Sequence, residues 1–249
     1  MAYKENKTFR ILSAIGIILV VAGHLGYHLF EIGDLFPYYS FHVFIFLFVS
    51  GYFYKKEAEE RIGSYIIGKC VTLLVPYFLW NLFYGILANL LHGAGFSIGE
   101  SLSLRTLFLS PFLDGHQFMY NFPAWFVPVL FMLEVINVLM RKVLSLIHLN
   151  FEWLIFAGCL VAGILSAGWV SSFANGPIVP YLTVMTGIAF WLRIARIMTG
   201  IPYLAGKMVY IGRNTYSIMM HHAACFMLVK EFFYLCSLYT PLCSEFDKE

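Results

Sequence analysis

Charge is scarce in this sequence. Its 249 residues hold only 16 Lys and Arg and 14 Asp and Glu, together 12% of the chain. A soluble domain carries roughly twice that share of charge to cover its surface, so a water-soluble globular fold is excluded. Cysteine is also sparse, and the five residues show no metal-ligand spacing, so no bound metal is expected. Cys70, Cys159 and Cys225 lie in apolar stretches and read as packing residues, whereas Cys236 and Cys243 fall where a disulfide is open to them. The sequence has no GxSxG, no phosphate-binding loop, no HExxH and no dinucleotide glycine fingerprint, which removes the common soluble-enzyme signatures. No repeat or low-complexity tract divides the chain, and nucleic acid is not an expected partner.

What is present is apolar. Hydrophobic residues make up 60%, with 25 Phe and 16 Tyr. Runs of about 20 apolar residues, each long enough to cross roughly 30 Å of hydrocarbon, recur along the whole length. They predict seven spans over 10–31, 38–54, 64–91, 122–140, 152–171, 178–195 and 214–236. The fold class that follows is all-α, a polytopic transmembrane helix bundle forming one domain over 1–249. With the N-terminus inside, thirteen of the sixteen basic residues fall on the inner side and three on the outer. That bias predicts an N-in, C-out orientation. The inner stretch "KKEAEERIGSYIIGK" reads as a surface helix or turn meeting lipid headgroups. Pro76 in "LLVPYFLW" is expected to disturb the third span, and 92–121 reads as a long outer loop.

Polar residues inside these spans need partners or functions. His24 sits within the first span and His42 within the second; the short link between spans makes them antiparallel neighbours able to face one cavity. His28, one turn after His24, gives an HxxxH pair too small for a metal site. Glu134 is the lone acid deep in a span and is expected to be paired or protonated. Arg193 and Arg196 end the sixth span, where they suit either headgroup anchoring or phosphate binding. Of the adjacent His221 and His222, only one is expected to face the bundle interior.

The ordered segments "IGIILVVAGH", "YYSFHVFIFLFVSGYFY", "LLVPYFLWNLFYG", "AWFVPVLFMLEVI" and "YIGRNTYSIMMHH" resemble the membrane acyltransferase-3 family, in particular its sugar and polysaccharide O-acetyltransferase branch, which includes fucose 4-O-acetylase-like members. The resemblance implies transfer of an acetyl group from cytoplasmic acetyl-CoA to a hydroxyl of an extracytoplasmic or lipid-linked glycan, in the bacterial cytoplasmic membrane. It implies His24 as the catalytic histidine, with His42 as the neighbour that tunes it. Imidazole suits the task, since it takes a hydroxyl proton near neutral pH. Arg10, Lys69, Arg193 and Arg196 are the implied contacts for CoA. Two positions where the family carries a basic residue hold Ser13 and Thr72 here, and the family's usual ten or so spans are reduced. The alternative expectation is a non-catalytic membrane protein on the same scaffold, binding or moving a glycolipid.

Overall fold

The computed structural model describes residues 6–26, 41–94, 99–113, 118–148 and 178–229, with the backbone alone over 178–183. Among these residues no strand occurs. The span 152–171, His28, Tyr38 to Ser40, Cys159, Cys236, Cys243 and both chain ends lie outside the described residues. The chain forms two compact units, one from residues 1–73 and 129–216, the other from 74–128 and 217–249.

In the first unit, α1 runs Lys7–His24. Asn6 caps it, its side-chain oxygen accepting from the Thr8 and Phe9 amides at 3.1 and 3.5 Å. Leu25 closes the helix, and Gly26 follows at φ +76°. A left-handed turn of this kind ends a helix, and glycine adopts it without a Cβ clash. The first helix therefore stops at His24, short of the boundary at 31 expected from hydropathy. After a turn at 41–43, α2 covers Phe44–Tyr52, about 13 Å of the expected second span. Phe9 stacks on Tyr52 with centroids 4.2 Å apart and meets the edge of Phe53 at 5.1 Å, while Gly16 faces Ile45 and Phe46. Early α1 thus meets late α2 and late α1 meets early α2, an antiparallel hairpin.

Helix α3 (Ile62–Lys69) leads through a π turn at Cys70–Leu74 into α4 (Val75–Gly93). The widened turn answers the expectation about Pro76: its ring crowds the carbonyl four residues back and it donates no hydrogen bond, so the ladder loosens just ahead of it. Helix α5 covers Phe126–Leu146, α6 Ile178–Met198 and α7 Pro202–Arg213. The core of the first unit joins α1 (Ile11, Leu12, Ile15, Leu19) to Ile45 of α2, Trp191 and Ala195 of α6, and Met208 of α7. Helix α7 comes close to α1 at Gly212, where a Cβ would fall on the Arg10 carbonyl oxygen and lie 2.7 Å from its carbon. Small residues let helix backbones meet, the main source of cohesion where apolar burial gives no preference over lipid.

The second unit is built on α4 and a helix at 215–229, here α8. Beyond α4, the described parts of the expected outer loop, 99–113 and 118–121, are largely helical. Ser103 and Thr106 form a reciprocal cap on Leu104–Phe108, a short helix at Ser110–Leu113 follows, and a 3₁₀ segment spans Met119–Trp125. Leu107, Phe118 and Tyr120 pack with Tyr84 of α4 and Ala224 of α8.

Outward faces confirm the solvent. On α4, Leu79, Phe83, Ile86 and Leu90 are exposed while Asn81 and Tyr84 are buried. On α5, Leu133, Ile136, Met140 and Val143 are exposed while Glu134 is buried. Apolar residues outside and polar ones inside suit hydrocarbon, not water. Among the described residues, Lys7–His24, Ile62–Gly93 and Met119–Leu146 are helices long and apolar enough to cross a membrane.

Candidate functional site

A cavity of about 460 Å³ lies in the first unit, between the end of α2 and α3. Ser50, Tyr54, Lys55, Arg61, Tyr65 and Lys69 line it. Sequence order builds it: α2 ends at Tyr52, a 3₁₀ turn over Lys56–Glu59 reverses the chain, and α3 returns along the same wall. Tyr54 and Tyr65 meet edge to face at 6.1 Å. The Arg141 guanidinium lies 5.1 Å from the Tyr54 ring centre and its Nε donates to Asn137 Oδ1 at 3.1 Å. Three cations, hydroxyls and aromatic faces share this concave surface with one acid, Glu57, so basic groups still outnumber acidic ones, a combination suited to phosphate and to a planar ring.

Behind this surface is Glu134, 8% exposed. Lys69 Nζ donates to its Oε1 at 2.8 Å and lies 2.7 Å from Oε2. The Ser50 hydroxyl donates to Oε1 as well. The lone acid expected to be paired is paired, and with a residue expected to contact CoA. The Lys69 ammonium also sits 5.4 Å from the Tyr65 ring centre.

The other expected site residues are placed as follows. His24 is the last residue of α1 and is exposed, not buried within a span, because the glycine turn ends the helix there. His42 lies in the turn before α2 and is half-buried. The antiparallel register of α1 and α2 puts both histidines at one end of the hairpin and the cavity at the other, so neither histidine lines it. From His42 to Ser50 is eight residues, about 12 Å along a helix. Arg10 is exposed on α1, and Arg193 and Arg196 are exposed on α6; none of the three lines the cavity. Ser13 is buried and its hydroxyl donates to the Phe9 carbonyl at 2.9 Å; the Thr72 hydroxyl donates to the Gly68 carbonyl at 2.8 Å.

Tyr54, Lys55, Arg61 and Tyr65 were not among the residues expected at a site. Their segment reads as a charged surface turn, and the available signal was Tyr65 one turn before Lys69. The second unit holds polar pairs of its own. The Tyr84 hydroxyl and His221 Nδ1 are 2.7 Å apart, and Trp80 meets the His221 ring at 4.1 Å. Asn121 donates to Asn81 at 2.8 Å, both fully buried. His222 is buried too, its Nδ1 2.9 Å from the Ile218 carbonyl oxygen. Both adjacent histidines are engaged, one with a neighbouring helix and one with its own.

The acyltransferase-3 family model, described as an acyltransferase domain, matches residues 8–174. The chain belongs to this acyltransferase family. The match includes His24, His42, the cavity and Glu134, and it ends before "YIGRNTYSIMMHH", the last segment of the sequence resemblance. No curated protein and no solved structure matches the chain. Apolar outward faces and family membership together make this an integral membrane protein of acyltransferase type.

Proposed function

We propose that the protein is a membrane O-acyltransferase that moves an acetyl group from cytoplasmic acetyl-CoA to a hydroxyl of an extracytoplasmic or lipid-linked glycan. The family match over residues 8–174 carries this reading. In the reaction, His24 takes the proton of the acceptor hydroxyl as its oxygen attacks the thioester carbonyl. The C–S bond then breaks, and CoA leaves as the thiol with that proton. His42, at the same end of the hairpin, orients or tunes His24. Lys69, Lys55 and Arg61 hold the donor phosphates in the cavity. The eight residues between His42 and Ser50, roughly 12 Å at a helical rise, suit a donor whose phosphates and thioester are separated by a long arm. Arg10, Arg193 and Arg196 would assist from the surface as long cationic side chains. Seven crossings with the N-terminus in and the C-terminus out, in a bacterial cytoplasmic membrane, agree with the positive-inside distribution. Assignment to the sugar O-acetyltransferase branch rests on the sequence segments alone.

A second reading, a non-catalytic glycolipid-binding relative, is favoured by Ser13 and Thr72, whose hydroxyls are turned back on their own helices and supply no charge. Incubating purified protein with labelled acetyl-CoA and a lipid-linked glycan pool separates the two. Thioester cleavage with label on the glycan supports the transferase. Glycolipid binding without either signal supports the relative.

A further inference from the structure

Glu134 has no part in the mechanism above, yet both of its donors, Ser50 and Lys69, line the cavity while Glu134 itself lies behind the wall. A buried carboxylate beside a phosphate site repels the ligand unless its charge is matched. Here it is matched by Lys69, one of the cations that the ligand would need. We propose that Glu134 is a resident counter-ion that competes with the donor phosphate for Lys69. In the empty protein it holds the ammonium back, and a phosphate entering the cavity takes over part of the pairing.

The geometry carries the exchange. Lysine is a compact charge with three donors on a flexible stem, so it can turn from one acceptor to another. Its side chain is 29% exposed against 9% for Glu134, so one partner faces the cavity and the other does not. Ser50 keeps a hydrogen bond on Glu134 when Lys69 turns away, which limits the penalty of a buried unpaired acid. Tyr65 offers the ammonium a ring face beside the cavity.

This inference rests on the cavity being the donor site, and the experiment tests the two separately. CoA affinity is measured by calorimetry on full-length protein in nanodiscs, for wild type, Lys55→Ala, Arg61→Ala, Glu134→Gln and Glu134→Asp. Weaker binding in Lys55→Ala or Arg61→Ala supports the donor reading; unchanged affinity in both overturns it and the inference with it. Glu134→Gln removes the competitor and its repulsion, so CoA should bind roughly tenfold more tightly. Unchanged or weaker binding in Glu134→Gln overturns the inference while leaving the donor reading intact. Glu134→Asp draws the acid back from Lys69 and should strengthen CoA binding a few-fold. That change carries the test if Glu134→Gln does not fold, and affinity equal to or below wild type then overturns the proposal.

Discussion

In the proposed reaction, His24 is the residue on which catalysis turns. Its exposed place at the end of α1 means that removing the ring empties no core. His24→Ala should therefore leave expression and membrane insertion unchanged while lowering acyl transfer about 100- to 10,000-fold, the usual cost of losing a general base. Transfer rates per correctly folded protein check this; a loss of only a few-fold would make His24 a bystander. Lys69 is the opposite case. It was legible from the sequence as a lone cation where the family resemblance places a basic pair, but its partner was not. Glu134 lies 65 residues away, and only packing brings the two together.

At the scale of the element, α1 decides most of the first unit, and two substitutions probe its faces. Gly212→Ala on α7 would press a methyl group into the Arg10 carbonyl, backbone that cannot give way. We expect destabilisation of about 1–3 kcal/mol or more, read as a lower melting temperature in detergent. Arg10 and Ser13 are one turn apart, which from sequence alone leaves two readings of Arg10 open: a substitute for the family's basic residue at 13, or an anchor at the headgroups. The structure separates them: Arg10 is exposed and Ser13 is buried in contact with its own helix. Ser13→Arg would force a guanidinium into that interior. It should lower the yield of folded protein, and it should not restore donor affinity in an Arg10→Ala background. Kinetics of the double variant showing rescue would reverse this view. Short elements matter less. Ser103→Ala removes one cap from an exposed helix and should cost about 1 kcal/mol.

For the whole molecule, the orientation of the chain is the property to measure. With the N-terminus inside, a single cysteine introduced at Glu57 should be shielded from a membrane-impermeant thiol reagent in intact cells, and one at Glu100 should be labelled. The reverse pattern would invert the bundle and put the cavity on the wrong face for the proposed cytoplasmic donor. Family membership and apolar outward faces agree on a membrane acyltransferase. The second unit, with its Tyr84–His221 and Asn81–Asn121 pairs, shows that polar burial is not confined to the expected site.

The sequence by itself determined that this chain lives in a membrane, that it is helical, and which family it resembles, because these follow from composition, run length and the order of short segments. It also marked His24, His42 and Glu134 as polar residues in need of an explanation, and the family resemblance added Lys69. It misjudged where α1 ends, since hydropathy does not register the left-handed turn at Gly26. It read 92–121 as a loop, since helices of four or five residues are held by caps and packing and not by periodicity. The cavity was beyond its reach for a different reason. Tyr54 and Arg61 acquire meaning only when the 3₁₀ turn folds α3 back along α2, and Lys69 meets Glu134 only when α5 is packed behind it. Tertiary structure decided which charges face a ligand and which face each other.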